Sequence, residues 1–332
     1  MGLRHTKPSV AIIGAGISGI SLAHQLKAAF DVEIFERSHS AGGRFAHRHF
    51  SGRSFDHGAQ FFRIFSSTFK SFLKPAIESQ LIQEWTPEFA EISDTTILRT
   101  QRWDKSSGHL VATPHSHALF DYLSKPLTIH HQAEVSSVVH GAPGWMVNTN
   151  NGDLGPFDWC VTATPPLNAM SLIPSKIIYR NDIQNYSMLP CYALMLALNE
   201  LPNVPWQVAL VKQSTLSWIS INSSKPDRDD APAMVCLASN QWAKEHFHLG
   251  IDDIQSQMLS AVNNIIPGIN ELIEASHCHR WSYANMPKQQ GPQCFIDTKH
   301  RMASIGDWCI QGRVESGFLS AHALSQQMLS HV

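Results

Sequence analysis

The sequence predicts an α/β protein of two domains, one of them of Rossmann type. Two observations at the N-terminus and one of bulk carry this. An apolar strand, Val10-Ala11-Ile12-Ile13, runs directly into Gly14-x-Gly16-x-x-Gly19 and a helix. A second strand, Val32 to Phe35, ends in an acid, Glu36. The chain has 332 residues, 43% of them hydrophobic, which is enough apolar material for a sizeable core and two domains.

The first strand is β-branched and apolar, the pattern of a strand buried on both faces. Gly14 permits a tight turn, Gly16 leaves room for a pyrophosphate against the backbone, and Gly19 lets the helix approach the sheet. The helix shows Ile20, Leu22, Ala23 and Leu26 at helical spacing. Its first turn, with Ile17 and Ser18, points amides and the positive end of the helix dipole at phosphate oxygens. Glu36 suits a ribose diol and repels a 2′-phosphate, so the expected ligand has a free 2′-hydroxyl. An ordinary strand–turn–helix is the alternative, and it gives no reason for the acid. Arg37 and then Gly42-Gly43-Arg44 follow. The glycines allow the chain to pass close to a cofactor, and Arg44 offers a guanidinium to its pyrophosphate.

Residues 45–50 and the turn at Ser51-Gly52-Arg53 read as a small hairpin. Phe55-Asp56-His57-Gly58-Ala59-Gln60-Phe61 then reads equally well as a loop against a flat ring or as a core turn. A helix is expected over 66–81, with Pro75 a point of interruption. Short strands are expected over 85–110, a short helix over 116–125 and strands over 128–131 and 134–139. Asn150-Asn151-Gly152-Asp153 is a strong hairpin turn, and Trp159 to Thr164 is an apolar strand stopped by Pro165 and Pro166. From 167 to 276 the pattern is that of a second, substrate domain, with strands near 191–199, 207–212, 217–221 and 233–238. The stretch 223–232 reads as a polar loop, and 251–266 as an amphipathic helix. Near the C-terminus, Ala303 to Trp308 reads as a strand ending in Gly306-Asp307. Gly312-Arg313-Val314-Glu315-Ser316 then leads into a helix from about 316 to 329. A carboxylate at such a strand end reaches a sugar-type hydroxyl, and the helix N-terminus favours negative charge.

The totals exclude several classes. The net charge is −2, with no basic surplus for nucleic acid or an anionic membrane. No apolar run approaches the ~20 residues of a membrane span. A strand begins soon after the N-terminus, so no signal peptide is expected. The six cysteines are scattered, which fits free thiols in the cytoplasm. The His-x-His pairs His47/His49, His115/His117, His246/His248 and His277/His279 have no third ligand at a metal spacing, so they read as surface or loop histidines and no metal site is expected.

Taken together, Gly14-x-Gly16-x-x-Gly19, Gly42-Gly43-Arg44, the Phe55 to Phe61 run, Arg280-Trp281-x-Tyr283-Ala284, Gly306-Asp307-Trp308 and Gly312-Arg313-Val314-Glu315-Ser316 resemble the bacterial renalase-like proteins of the flavin amine-oxidase superfamily. The resemblance implies a two-domain fold like that of p-hydroxybenzoate hydroxylase, with a Rossmann-type FAD domain and a mixed-sheet substrate domain. It implies an FAD domain of residues 1–65, 128–166 and 277–332, and a substrate domain of 66–127 and 167–276. It also implies non-covalent FAD, held by the motifs above with Gly58, Ala59, Gln60, Phe61 and the Val135 backbone. No Ser-Gly-Gly-Cys attachment motif is present, in keeping with this. The implied reaction is oxidation of NAD(P)H isomers reduced at ring position 2 or 6. Hydride passes to flavin, and oxygen reoxidises the flavin to give hydrogen peroxide. Aromatisation of a dihydropyridine removes no proton, so no general base is required. His57, Gln60, Trp281 and Tyr283 are the candidates for the substrate slot, with Arg280 read as pairing with an acid of the fold. An amine oxidase or desaturase of the same superfamily, and a non-catalytic FAD protein, are the competing expectations.

Overall fold

Val10, Ala11 and Ile12 are fully buried because their strand, Ser9–Ile13, lies in the middle of a six-stranded sheet. The order across that sheet is Phe295–Asp297, Met302–Ser304, Trp159–Thr162, Ser9–Ile13, Asp31–Phe35 and Thr128–His130. All neighbours are parallel except the edge strand Phe295–Asp297, which is antiparallel. Parallel strands buried on both faces need continuous apolar runs, which is how these strands read. The computed structural model describes residues 7–330, and the chain divides into two compact units. The described part of the first is 7–43, 120–188 and 286–330; the second is Arg44–Leu119 and Leu189–Asn285.

In the first unit the helices Ile17–Leu26 and Val314–Leu329 pack closely. Gly317 makes the approach possible: a Cβ there would lie 2.6 Å from Ile17 Cγ2. The hairpin expected at Gly152 forms, with Trp145–Thr149 antiparallel to Gly152–Phe157 and Val135–His140 completing a three-stranded sheet. The C-terminal helix begins at Val314, two residues before the expected start.

The second unit is built on a seven-stranded sheet of order Ile273–Asn285, Leu189–Leu198, Ala233–Ala238, Leu216–Ile221, Val208–Lys212, Glu88–Ser93 and Thr96–Arg102. One face buries Leu194, Leu196, Met234 and Ile219 against Ile254, Met258 and Val262 of the helix Ile251–Ile265. The other face takes the hairpin His47–Phe50/Arg53–Asp56, whose Phe50 and Phe55 cover Met195, Ala197 and Val235. The helix Ser67–Glu78 runs through Pro75 without a break.

The unit boundaries differ from expectation in four segments. Residues 44–65 fall in the second unit, because the hairpin packs on the seven-stranded sheet. Residues 277–285 fall there too, as part of a 13-residue strand paired with Leu189–Leu198. Residues 120–127 and 167–188 lie in the first unit instead of the second. Among the described residues, no helix is long and apolar enough to cross a membrane.

Candidate functional site

The glycine turn has the geometry its sequence requires. Gly14 sits at φ +106, in the region open to glycine, and its amide donates to the Phe35 carbonyl at 2.8 Å. A Cβ on Gly19 would lie 2.0 Å from the Gly14 carbonyl oxygen, so only glycine lets the helix start here. Gly16 is different: a Cβ would meet nothing within 4 Å. Its missing side chain therefore serves open space beside the helix N-terminus. The first helical hydrogen bond is Ile20 N to Gly16 O, which leaves the amides of Ile17, Ser18 and Gly19 outside the helical ladder. An anion in that space would meet those amides and the helix dipole.

The second glycine pair closes on the first turn. Gly42 donates to the Ala15 carbonyl at 2.9 Å, and a Cβ on Gly43 would lie 3.5 Å from the Gly16 Cα. Glu36 is buried, and its two carboxylate oxygens accept from Ala15 N at 2.9 Å and Ser38 N at 2.8 Å. Each oxygen keeps a lone pair for a ribose hydroxyl. The neighbouring Arg37 is exposed. Val135 opens the strand Val135–His140 in the same unit. Near the C-terminus, Gly306 precedes Asp307, which is 5% exposed and opens a short 3-10 turn. A Cβ on Gly306 would lie 2.1 Å from Trp308 Nε1, and that indole donates to the Thr164 carbonyl at 3.0 Å. Arg313 occupies the N-cap position of the helix Val314–Leu329, and the buried Glu315 is in its first turn. The first unit thus fits a dinucleotide: an open phosphate cradle with an oriented diol acceptor at the neighbouring strand end.

In the second unit two of the expected slot residues, His57 and Trp281, meet beside one sheet face. His279, Ala193, Leu237, Trp218 and Leu210 are register partners in turn, so they form a row across five strands. Trp281 stands two residues along the same face of its strand. His57 stacks on Trp281 with centroids 5.5 Å apart, and Trp281 Nε1 donates to the His57 carbonyl at 2.9 Å. His279 meets both rings edge-on, at 4.9 Å from His57 and 4.4 Å from Trp281. Phe61 lies 5.6 Å from Trp218. The side chains of His279, Leu237, Trp218, Leu210 and Phe61 are half-buried, so the row keeps an open side. Trp218 Nε1 is buried and makes no hydrogen bond to protein. Tyr283 lies beyond Trp281, where the pairing with Leu189–Leu198 shifts register.

The histidines of this face are held neutral. Burial, with the charges of His279 and Arg48, pushes His57 down to about 3. Burial and Arg48 push His279 to about 4. The expectation of surface or loop histidines is corrected here: His47, His277 and His279 lie on strands, and His47 stacks on His115 at 4.4 Å. Among the described residues no group of three or more His, Cys, Asp or Glu is placed to hold a metal ion.

The loop Phe55 to Phe61 is fixed from beneath by charges the sequence did not single out. Asp56 is fully buried and accepts from Arg228 Nη2 at 2.6 Å, Lys225 Nζ at 3.3 Å and Ser116 N at 2.9 Å. Gln60 donates to the Asp56 carbonyl at 2.7 Å and accepts from Ser220 Oγ at 2.9 Å and Lys225 Nζ at 3.3 Å. Gln60 is therefore 7% exposed and committed to this network. Gly58 has room for no Cβ, which would lie 1.9 Å from the Arg44 carbonyl; that carbonyl also accepts from Ala59 N at 2.9 Å. The Arg44 guanidinium donates to the Ala284 carbonyl at 3.0 Å. Arg280, expected to pair with an acid, instead donates to the Leu249 carbonyl and lies over the Tyr192 and Phe247 rings. It alternates with His279 and Trp281 and so takes the opposite face. Lys225 and Arg228 carry no local signal, because their stretch reads as a solvated loop; only Asp56, an acid next to Phe55 in a run of aromatic and small residues, hints at buried partners.

Residues 12–75 match the family of NAD(P)-binding Rossmann-like domains. Solved structures match over the whole chain. A putative protoporphyrinogen oxidase from Exiguobacterium sp. 255-15 superposes with a TM-score of 0.77 at 9% identity, covering 100% of both chains. Putrescine oxidase, bound to putrescine, gives 0.70 at 11% identity over 98% of this chain and 99% of that one. An oxidoreductase from Methanosarcina mazei gives 0.70 at 14% identity over 96% and 100%. The chain has their fold. At such identity the likeness shows the architecture alone.

Proposed function

We propose that the protein is an FAD-dependent oxidoreductase that oxidises the 2- and 6-dihydro isomers of NAD(P)H to NAD(P)⁺. The first unit would hold the cofactor: Gly16, Ile17 and Ser18 amides at the pyrophosphate, Glu36 at the adenosine ribose, and Asp307 with the helix from Val314 at the flavin half. Among the fold neighbours, the two named oxidases support an oxidase reading of this architecture. Bound FAD supplies a two-electron acceptor that oxygen can reoxidise, with hydrogen peroxide as the product.

The observation that carries the choice of substrate is the neutral aromatic face of the second unit. A dihydropyridine that loses hydride becomes an aromatic cation, and no proton leaves carbon. The protein's task is then to orient a flat ring and keep water out. Trp281, Trp218, Phe61 and Leu237 offer flat apolar surface, and Trp218 Nε1 offers an unclaimed donor for a carboxamide oxygen. His57 and His279 stay uncharged, so they do not repel the pyridinium product. The overall balance is one dihydropyridine, one oxygen and one proton giving one pyridinium and one hydrogen peroxide.

Anaerobic rapid mixing of the FAD-loaded protein with each isomer tests this, with ordinary NADH and putrescine as controls. The isomers alone should bleach the flavin. Bleaching by putrescine alone would replace this reading with amine oxidation.

A further inference from the structure

Arg48 is a cation whose surroundings lack its counter-charge. It lies half-buried on the strand His47–Phe50 and donates to Nε2 of His277. Among the described residues it forms no ion pair with a carboxylate. The acids of this region are taken: Asp56 by Lys225 and Arg228, and Glu274 by Arg53 at 2.7 Å and Ser51 Oγ at 2.8 Å. Arg48 touches His277, and its charge also acts on His57 and His279, whose rings meet edge-on at 4.9 Å; burial and that charge hold all three imidazoles neutral. Since His277 accepts through Nε2, its Nδ1 carries the proton and is a donor. The guanidinium has five N–H donors, and His277 takes one of them. A half-buried guanidinium beside imidazoles that can each add a proton is the donor set an oxyanion needs.

We propose that Arg48, His277 and His279 form an oxyanion subsite that takes a phosphate group of the nucleotide substrate. The proposal rests on the dinucleotide reading above. The dihydropyridine would lie on the face around Trp281 and Trp218, with its phosphates further along the strand at His279 and His277. An anion there neutralises Arg48 and favours protonation of His277 or His279, so binding takes up protons. Of the other charged groups nearby, Asp56 acts on His57, and Arg53 and Glu274 pair with each other.

The test is calorimetric titration of the FAD-loaded protein with pyrophosphate and, separately, ADP-ribose, in buffers of different ionisation enthalpy at about pH 6 and about pH 8. Both probes should bind, more tightly at the lower pH and with proton uptake. Arg48→Gln should weaken both by roughly tenfold or more, and Arg48→Lys by less. Should Arg48→Gln misfold, Arg48→Lys and His277→Gln carry the comparison. Wild-type affinity in these variants, or no binding to the wild type, overturns the subsite. Binding of pyrophosphate without ADP-ribose makes it a site for free phosphate and overturns the nucleotide assignment. Failure of the isomers to bleach flavin would retire the proposed reaction, yet leave these binding results to stand or fall alone.

Discussion

At the scale of single residues, the three glycines of the first turn do different work, and substitution separates them. Gly14 has a positive φ, and Gly19 has a backbone oxygen 2.0 Å from any Cβ. Gly19→Ala should therefore destabilise the fold by more than the ~1 kcal/mol that separates glycine from alanine propensity, read as a lower denaturant midpoint. Gly16→Val meets open space, so its apo-protein should melt like the wild type while its FAD affinity collapses. The histidines predict a pH response. Folded His57 titrates near 3, and His279 and His109 near 4, against 6.5 for an unperturbed imidazole. Below 6.5 the unfolded chain binds more protons than the folded one, so stability is lost as pH falls from there towards 4. The slope is at most about 1.4 kcal/mol per pH unit per histidine, and less for half-exposed His109. Thermal melts across that range check it, and His57→Leu should flatten the curve. These glycines were legible in the sequence because a turn is local. The histidines were not, since burial and Arg48 come from strands far apart in the chain.

At the scale of elements, the second unit depends on Asp56 as the common partner of Lys225 and Arg228. Asp56→Ala leaves two buried cations without a counter-charge, which should cost about 3–5 kcal/mol in chemical denaturation. Replacing Trp281 by Phe keeps the ring but deletes its bond to the His57 carbonyl. The expected loss is about 1 kcal/mol of stability, with a change in the rate of flavin reduction as the separate sign of a role at the slot. The strand Ile273–Asn285 shows why the sequence reading stopped short. A strand with one buried face normally alternates polar and apolar residues. Here one face carries His277, His279 and Trp281, and the other carries Cys278 against the core and Arg280 between two rings. These polar and aromatic residues hide the alternation of the strand, and residues 277–285, expected with the first domain, group with the second unit. Leu189–Leu198 was legible for the opposite reason, because both its faces are apolar.

At the scale of the whole molecule, the chain crosses from one unit to the other and back twice. The six-stranded sheet supplies a dinucleotide cradle, and the seven-stranded sheet supplies a neutral aromatic face bordered by an uncompensated arginine. The Rossmann half was legible from a short motif whose residues are neighbours in sequence. The aromatic face of the second unit is assembled by register between strands distant in sequence, which periodicity does not encode. The fold neighbours share the architecture at identities of 9–14% and leave these side chains to define the chemistry. Because FAD would bind the folded chain alone, saturating it at about 100 times its dissociation constant should add about 2.7 kcal/mol of stability.

The proposed reaction requires that the dinucleotide taken by the first unit be FAD. The direct measurement is to purify the protein, denature it, and identify and quantify the released nucleotide against the chain concentration. The account predicts FAD, released without covalent attachment, at one per chain after reconstitution, with the Gly16→Val protein empty. Retention of NAD, with no FAD taken up on reconstitution, would contradict it.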